Sequence, residues 1–284
     1  MKIRKRYLFI VLLLIVLGCS RLEIMTFRKS DKDQATELLK SGQTDFHFHS
    51  YSFEEMEIHY THVGNDSLPL VILVHGSPGS SSAYLDYLKD TKLTNVAQVV
   101  AVDRPGFGYS NFGKAEPSLE RQAKAFEAIF RRHRSSKAIL VGHSFGSPVI
   151  SRMAAEFPDL VDGLVIVSGS IAPELEPKEW WRKPANFFLF RWLTPAALRV
   201  CNQEIMPLYL ELEKMLPLWE KITCPVSVFQ GDIDNLVPKE NAAFAKYMLI
   251  NSDTVKIEMI KGGNHFILWS LQDLIVEEIT QLIK

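Results

Sequence analysis

The chain has 284 residues, with 32 Lys+Arg against 33 Asp+Glu and a formal net charge of -1. Hydrophobic residues make up 47% and charged residues 23%, a globular balance that excludes disordered, collagen-like and coiled-coil chains. Near-neutrality gives no electrostatic reason to expect a nucleic-acid partner, and three cysteines are too few for a disulfide scaffold.

The first segment is asymmetric in charge. Lys2, Arg4, Lys5 and Arg6 precede an unbroken apolar run from Leu8 to Leu17. A run of roughly ten residues behind a basic start matches the n- and h-regions of a secretory signal and is short for a membrane-spanning helix. It ends at Val16-Leu17-Gly18-Cys19-Ser20. This resembles a bacterial lipoprotein box, in which a small residue precedes an acylated cysteine. The resemblance implies lipidation at Cys19, export, and attachment to a membrane of the cell envelope. The other reading of residues 1–18 is an uncleaved N-terminal anchor. Removing them takes away four basic residues and no acidic ones, which leaves a mildly acidic body.

Residues 19–44 are polar and charged and read as a tether, with a short helix at Gln34–Lys40. Two alternating stretches follow, Asp45–Phe53 and Met56–Val63, which predict antiparallel strands at a sheet edge. Gly64-Asn65-Asp66 is a turn signal. Then the pattern becomes continuous: Leu70–Val74, Val99–Val102, Ala138–Val141, Leu164–Val167 and Val226–Phe229 are apolar throughout. Strands buried on both faces read this way. Helical patterns at Ser118–His133 and Pro148–Glu156 separate some of them. The alternation predicts an α/β domain over residues 45–284, built on a doubly wound, mostly parallel sheet. A ligand site then belongs at the carboxyl ends of the strands.

The unusual residues fall there. Ala138–Val141 leads into Gly142-His143-Ser144-Phe145-Gly146 and then a helix. Gly-x-Ser-x-Gly between strand and helix is a nucleophile elbow, and that context makes a weak motif strong. A serine hydroxyl needs a base, and His265 in Gly262-Gly263-Asn264-His265-Phe266 precedes the last helix. The imidazole needs an acid, for which Asp232 and Asp234 compete beyond the strand Val226–Phe229. Asp234 is preferred because it lies deeper in the loop, before Val237-Pro238.

At this point the chain resembles the α/β-hydrolase family over residues 45–284. The motifs are Val74-His75-Gly76-Ser77-Pro78-Gly79, Asp103-Arg104-Pro105-Gly106-Phe107-Gly108-Tyr109-Ser110, the elbow at Ser144, Gly231 to Asp234, and Gly263-Asn264-His265. The resemblance implies a Ser144–Asp234–His265 triad. It also implies an oxyanion hole from the backbone N–H groups of Ser77 and Phe145, with His75 bracing the loop. It implies a small helical lid at about residues 174–224, where Trp180, Trp181, Phe187, Phe188, Phe190 and Trp192 cluster as a candidate acyl or alkyl pocket. Relatives that open epoxides or remove halides carry an aspartate at the elbow, so Ser144 argues against those chemistries. Prolyl aminopeptidase relatives carry a glycine at the Ser77 place and a tryptophan at the Phe145 place, which lowers that option.

The expected activity is hydrolysis of an ester of a small to medium apolar substrate through an acyl-enzyme on Ser144, without a cofactor. The alternatives are a lactone, thioester or carbon–carbon bond hydrolase on the same triad, or a non-catalytic tethered binding protein. Gly106-Phe107-Gly108 begins like a dinucleotide fingerprint, but Asn111 stands at the third glycine. His47 and His49 share a strand face with no third ligand in view, so no metal site is expected. Arg131-Arg132-His133-Arg134 ends a predicted helix, where cations suit the dipole. Cys201 and Cys224 read equally well as a pair or as two buried thiols.

Mass spectrometry of the N-terminal peptide should find Cys19 as an acylated first residue. An unmodified Cys19 with residues 1–18 still attached would favour the plain anchor.

Overall fold

The continuous apolar runs become the middle of one sheet. The computed structural model describes residues 23–133, 135–177, 182 and 194–284. The strands are β1 (Phe46–Phe53), β2 (Met56–Val63), β3 (Leu70–Val74), β4 (Gln98–Val102), β5 (Ala138–His143), β6 (Gly163–Val167), β7 (Val226–Gly231) and β8 (Val255–Ile260). Their order is β1-β2-β4-β3-β5-β6-β7-β8. β1 and β2 join antiparallel at one edge, as their alternation predicts, and β3 to β8 run parallel.

Alternate side chains of each parallel strand enter different cores. Ile72, Leu140 and Ile166 pack on one face with Phe126 and Ile129 of the helix Leu119–Arg132 and Val149 of the helix Gly146–Glu156. Val71, Val141 and Val165 pack on the other with Ile275 and Ile279 of the helix Gln272–Ile283. Covering both faces removes any need for alternation, which is why these strands are apolar throughout. β8 does alternate between partly buried and exposed positions, because it closes the sheet edge, and it escapes a search for continuous runs. From β3 the chain moves one way to β4 and then back past β3 to β5. That reversal is the topological switch point where a crevice opens.

The segment expected as a tether differs from that reading. A helix spans Asp31–Lys40, with Ser30 Oγ accepting from Asp33 N at its start. It docks on the body: Leu38 and Gln34 are buried, and Asp31 Oδ2 lies 3.4 Å from His59 Nε2. Arg28 Nη1 donates to Gly108 O, and its guanidinium sits over the Tyr109 ring at 4.4 Å. A polar segment is held here by one apolar helix face and by charge, which composition alone does not reveal.

The expected signal or anchor at 1–18, Cys19, and the lid aromatics Trp180, Trp181, Phe187, Phe188, Phe190 and Trp192 lie outside the described residues. Among the described residues no helix is long and apolar enough to cross a membrane. Of the expected lid, the helices Ala196–Ile205 and Leu208–Met215 are described. Cys201 and Cys224 are separate buried thiols, and burial pushes the Cys224 thiol up to about 12.

The helix Ala196–Ile205 is fastened by a buried charge pair. Glu204 Oε1 and Oε2 accept from Arg104 Nη2 and Nη1 at 2.8 Å each, and both side chains are fully buried. Removing one partner leaves the other charge uncompensated in a low-dielectric interior. Glu204→Ala should therefore lower stability by about 3–5 kcal/mol, read from the shift of the urea midpoint. A loss below about 1 kcal/mol, typical of an exposed pair, would contradict that burial.

Candidate active site

The site begins with backbone strain. Ser144 follows β5 at φ 53, a left-handed conformation costly for a residue with a Cβ. Its neighbours make the turn possible. A Cβ on Gly146 would meet Val74 O at 2.1 Å, and one on Gly142 would meet Gly146 O at 2.7 Å. The turn is fixed by Ser144 N donating to Val167 O at 3.0 Å. The helix Gly146–Glu156 starts directly behind it, so its positive dipole end faces the serine.

The loop after β3 comes against this elbow. A Cβ on Gly76 would lie 2.9 Å from Ser144 Cβ, so only glycine allows the approach. His75 is buried beneath the loop: Nδ1 donates to Gly76 O at 2.7 Å, and Nε2 accepts from Arg104 N at 3.0 Å. Burial, with the Arg104 charge nearby, pushes His75 down to about 3, so it stays neutral. Both ring nitrogens are engaged, which makes it a brace for the loop. Arg104 Nε donates to His75 O, and Nη2 to Gly76 O. The same guanidinium lies 4.4 Å over the Phe145 ring. One buried cation therefore positions both Ser77 and Phe145.

At the carboxyl end of β7 the chain forms a second polar cluster. His265 Nδ1 donates to Asp234 Oδ2 at 2.8 Å. Asp234 Oδ2 also accepts from Gln230 Nε2 at 3.2 Å, and Oδ1 accepts from Leu236 N and Val237 N at 2.8 and 2.9 Å. Burial would raise its carboxyl, but the hydrogen bonds from His265 and the two amides outweigh this and hold it below the ordinary value. Asp234 is therefore an ionised acceptor that fixes the His265 tautomer with a proton on Nδ1. Asp232 instead accepts from Gly262 N at 2.6 Å and shapes the turn. His143 lies between His265 and Trp269, tilted to the first at 4.8 Å and edge-on to the second at 4.9 Å, and its Nε2 meets His265 O at 3.0 Å. Burial and the adjacent His265 push His143 down to about 3.

Ser144, Ser77, Gly76 and His265 line one cavity of ≈ 330 Å³, with Phe27, Leu236, Phe266 and Trp269 around it. Phe145 is buried just behind the serine. The structure thus brings together Ser77, Ser144 and His265 at the cavity, and Asp234 against His265. Sequence reading missed Gln230, Arg104 and Phe27. Gln230 carries a weak signal, as a polar residue ending an apolar strand. Phe27 is an aromatic in an otherwise polar segment. The arrangement offers a hydroxyl, an imidazole whose Nδ1 is held by a carboxylate, and backbone donors beside one cavity. Those parts suit acyl transfer by proton relay.

Comparison with known proteins agrees with this architecture. The model of the alpha/beta hydrolase fold matches residues 69–199. Protein ABHD8 of Homo sapiens is 31% identical over 110 residues, which is 38% of this chain and 25% of the relative. Epoxide hydrolase 1 of Caenorhabditis elegans is 26% identical over 114 residues, which is 39% of this chain and 28% of that protein. The chain thus spans only a minor part of the length of these curated relatives. Among solved structures, a membrane phospholipase A described as a bacterial virulence factor is 19% identical with a TM-score of 0.66, over 99% of this chain and 98% of that one. The haloalkane dehalogenase DatA from Agrobacterium tumefaciens C58 is 17% identical with a TM-score of 0.65, over 86% of this chain and 98% of that one. The chain has the α/β-hydrolase fold.

Proposed function

We propose that this α/β-hydrolase-fold chain is a serine hydrolase that cleaves carboxylic esters through an acyl-enzyme on Ser144. The observation that carries the reading is the strained serine in one cavity with a histidine whose Nδ1 proton is held by a buried carboxylate. Ser144 Oγ attacks the ester carbonyl while His265 Nε2 takes its proton. The oxyanion accepts from the N–H groups of Ser77 and Phe145, helped by the helix dipole behind the elbow. The intermediate then expels the alcohol, which receives the proton from His265. Water, deprotonated by His265, attacks the acyl-enzyme, and the acid leaves. Asp234 stabilises the imidazolium at each stage without taking the proton. The same parts serve a lactone or thioester, and a carbon–carbon bond hydrolase would use them with a different leaving group. A binding protein has no chemical need for this relay.

The chain is further proposed to act at a membrane, held by acylated Cys19 or by the apolar residues 8–17. Phe27, Leu236, Phe266 and Trp269 line the cavity and are 40%, 59%, 54% and 38% exposed. That apolar rim supports a second reading, in which the ester belongs to a lipid at the membrane surface.

A fluorophosphonate should label the full chain once, and Ser144→Ala should abolish labelling while leaving the fold intact. Asp234→Asn should lower kcat on a soluble ester by about 10⁴-fold, and Asp232→Asn far less. Labelling at another serine, or greater damage from Asp232→Asn, would sink the assignment.

Substrate size gives a separate test. A cavity of ≈ 330 Å³ lies at the small end of ligand sites. Each methylene buried contributes about 0.8 kcal/mol, so kcat/KM should rise a few-fold per acyl carbon and then stop within the medium range. A flat profile from acetate to octanoate contradicts an acyl pocket. A rise that continues to long chains in vesicles favours the lipid reading.

A further inference from the structure

A cluster of polar side chains lies away from the proposed relay, at the antiparallel edge of the sheet. In the β1–β2 register His47 faces His62, and His49 faces Tyr60. Directly paired residues point to the same face, so three histidines and a tyrosine share one patch. The chain end of the helix Leu119–Arg132 then lays His133 over it, with ring centroids of His62 and His133 4.4 Å apart. The turn after β2 brings Asp66 to the same place. The cluster that could hold an ion is therefore not His47 with His49 but His62 and Asp66 with His133, which comes from far along the chain.

We propose that His62, Asp66 and His133 form a divalent transition-metal site of the zinc type. Neighbouring ligand atoms around a tetrahedral ion with bonds of about 2.1 Å lie about 3.4 Å apart. His62 Nε2 is 3.5 Å from Asp66 Oδ1, and His133 Nδ1 is 3.0 Å from the same oxygen. All three ligand atoms lie within 4.8 Å of one another, close enough for a small ring rotation to complete the set.

The strongest observation is a mismatch in the polar accounting. His62 is 3% exposed, yet its Nε2 has no hydrogen-bond partner. A buried polar atom without a partner is costly. A simple Asp66–His133 hydrogen bond leaves that atom unsatisfied, whereas a shared cation satisfies all three ligands. The other nitrogen of His133 fits a metal ligand as well: Nε2 lies 2.9 Å from Tyr60 Oη and would donate to it, which orients the ring. His49 is no fourth ligand in this arrangement. Its Nδ1 accepts from Arg132 Nη2 at 3.1 Å, which leaves the proton on Nε2. Water would complete the coordination on the side where Asp66 is exposed.

The site staples the turn after β2 to the end of the helix Leu119–Arg132. It sits at the amino ends of the parallel strands, whereas Ser144 follows the carboxyl end of β5. Its role is therefore structural, independent of the proposed hydrolysis, and metal should raise the melting temperature without changing fluorophosphonate labelling.

Cobalt(II) titration of the chelator-washed full chain in detergent tests this through the visible absorbance of a four-coordinate site. One cobalt per chain should bind, and zinc should displace it. Asp66→Asn, on an exposed turn and compatible with folding, should weaken binding at least 10-fold. His62→Gln with His133→Gln should abolish it, Tyr60→Phe should weaken it 10–100-fold, the scale of losing an outer-shell partner, and His265→Gln should leave it intact. Absence of the cobalt band at micromolar metal would overturn the proposal. So would a band that survives Asp66→Asn unchanged or one that disappears in His265→Gln.

Discussion

The left-handed backbone of Ser144 is the constraint around which the rest of the cavity is arranged. A residue with a Cβ at φ 53 costs about 1–3 kcal/mol and persists only where the surroundings leave no other choice. Here three approaches remove the choice. Gly146 lies under Val74 O, Gly142 lies under Gly146, and Gly76 lies against Ser144 itself. The contacts of Gly146 with Val74 and of Gly76 with Ser144 arise because β3 and β5 are adjacent parallel strands, and the contact of Gly142 with Gly146 folds the elbow on itself. The sheet, through its register, therefore sets the position of one hydroxyl.

Arg104 connects that elbow to everything around it. It reaches the carbonyls of His75 and Gly76, the ring of Phe145 and the carboxylate of Glu204. A buried guanidinium needs its charge paired and its donors filled, and this one meets both needs. The consequence is mechanical coupling. The loop with Ser77, Phe145 beside Ser144 and the helix Ala196–Ile205 cannot shift independently. This holds the N–H groups of Ser77 and Phe145 in the fixed geometry that the proposed oxyanion stabilisation requires.

Much of this was legible in the residues. The continuous runs marked the parallel strands because double-sided burial leaves a local imprint, and the glycines around Ser144, Asp234 and His265 marked the loops at their carboxyl ends. The fold followed from those local signals. What escaped reading depends on pairing between distant residues. β8 looks like an exposed stretch because it is an edge. Helix Asp31–Lys40 looks like part of a tether until Leu38 is seen buried. Gln230 and Arg104 gain their meaning only from Asp234 and Glu204. His62, Asp66 and His133 are ordinary in sequence and become a cluster only through strand register and helix placement.

The central claim is that Ser144 carries the acyl group during turnover. Rapid-quench intact-mass spectrometry of the full chain mixed with a p-nitrophenyl ester addresses it directly. The account predicts a transient mass increase of one acyl group that maps to the peptide containing Ser144. Turnover with no acylated species, or an acyl group on another residue, would contradict it.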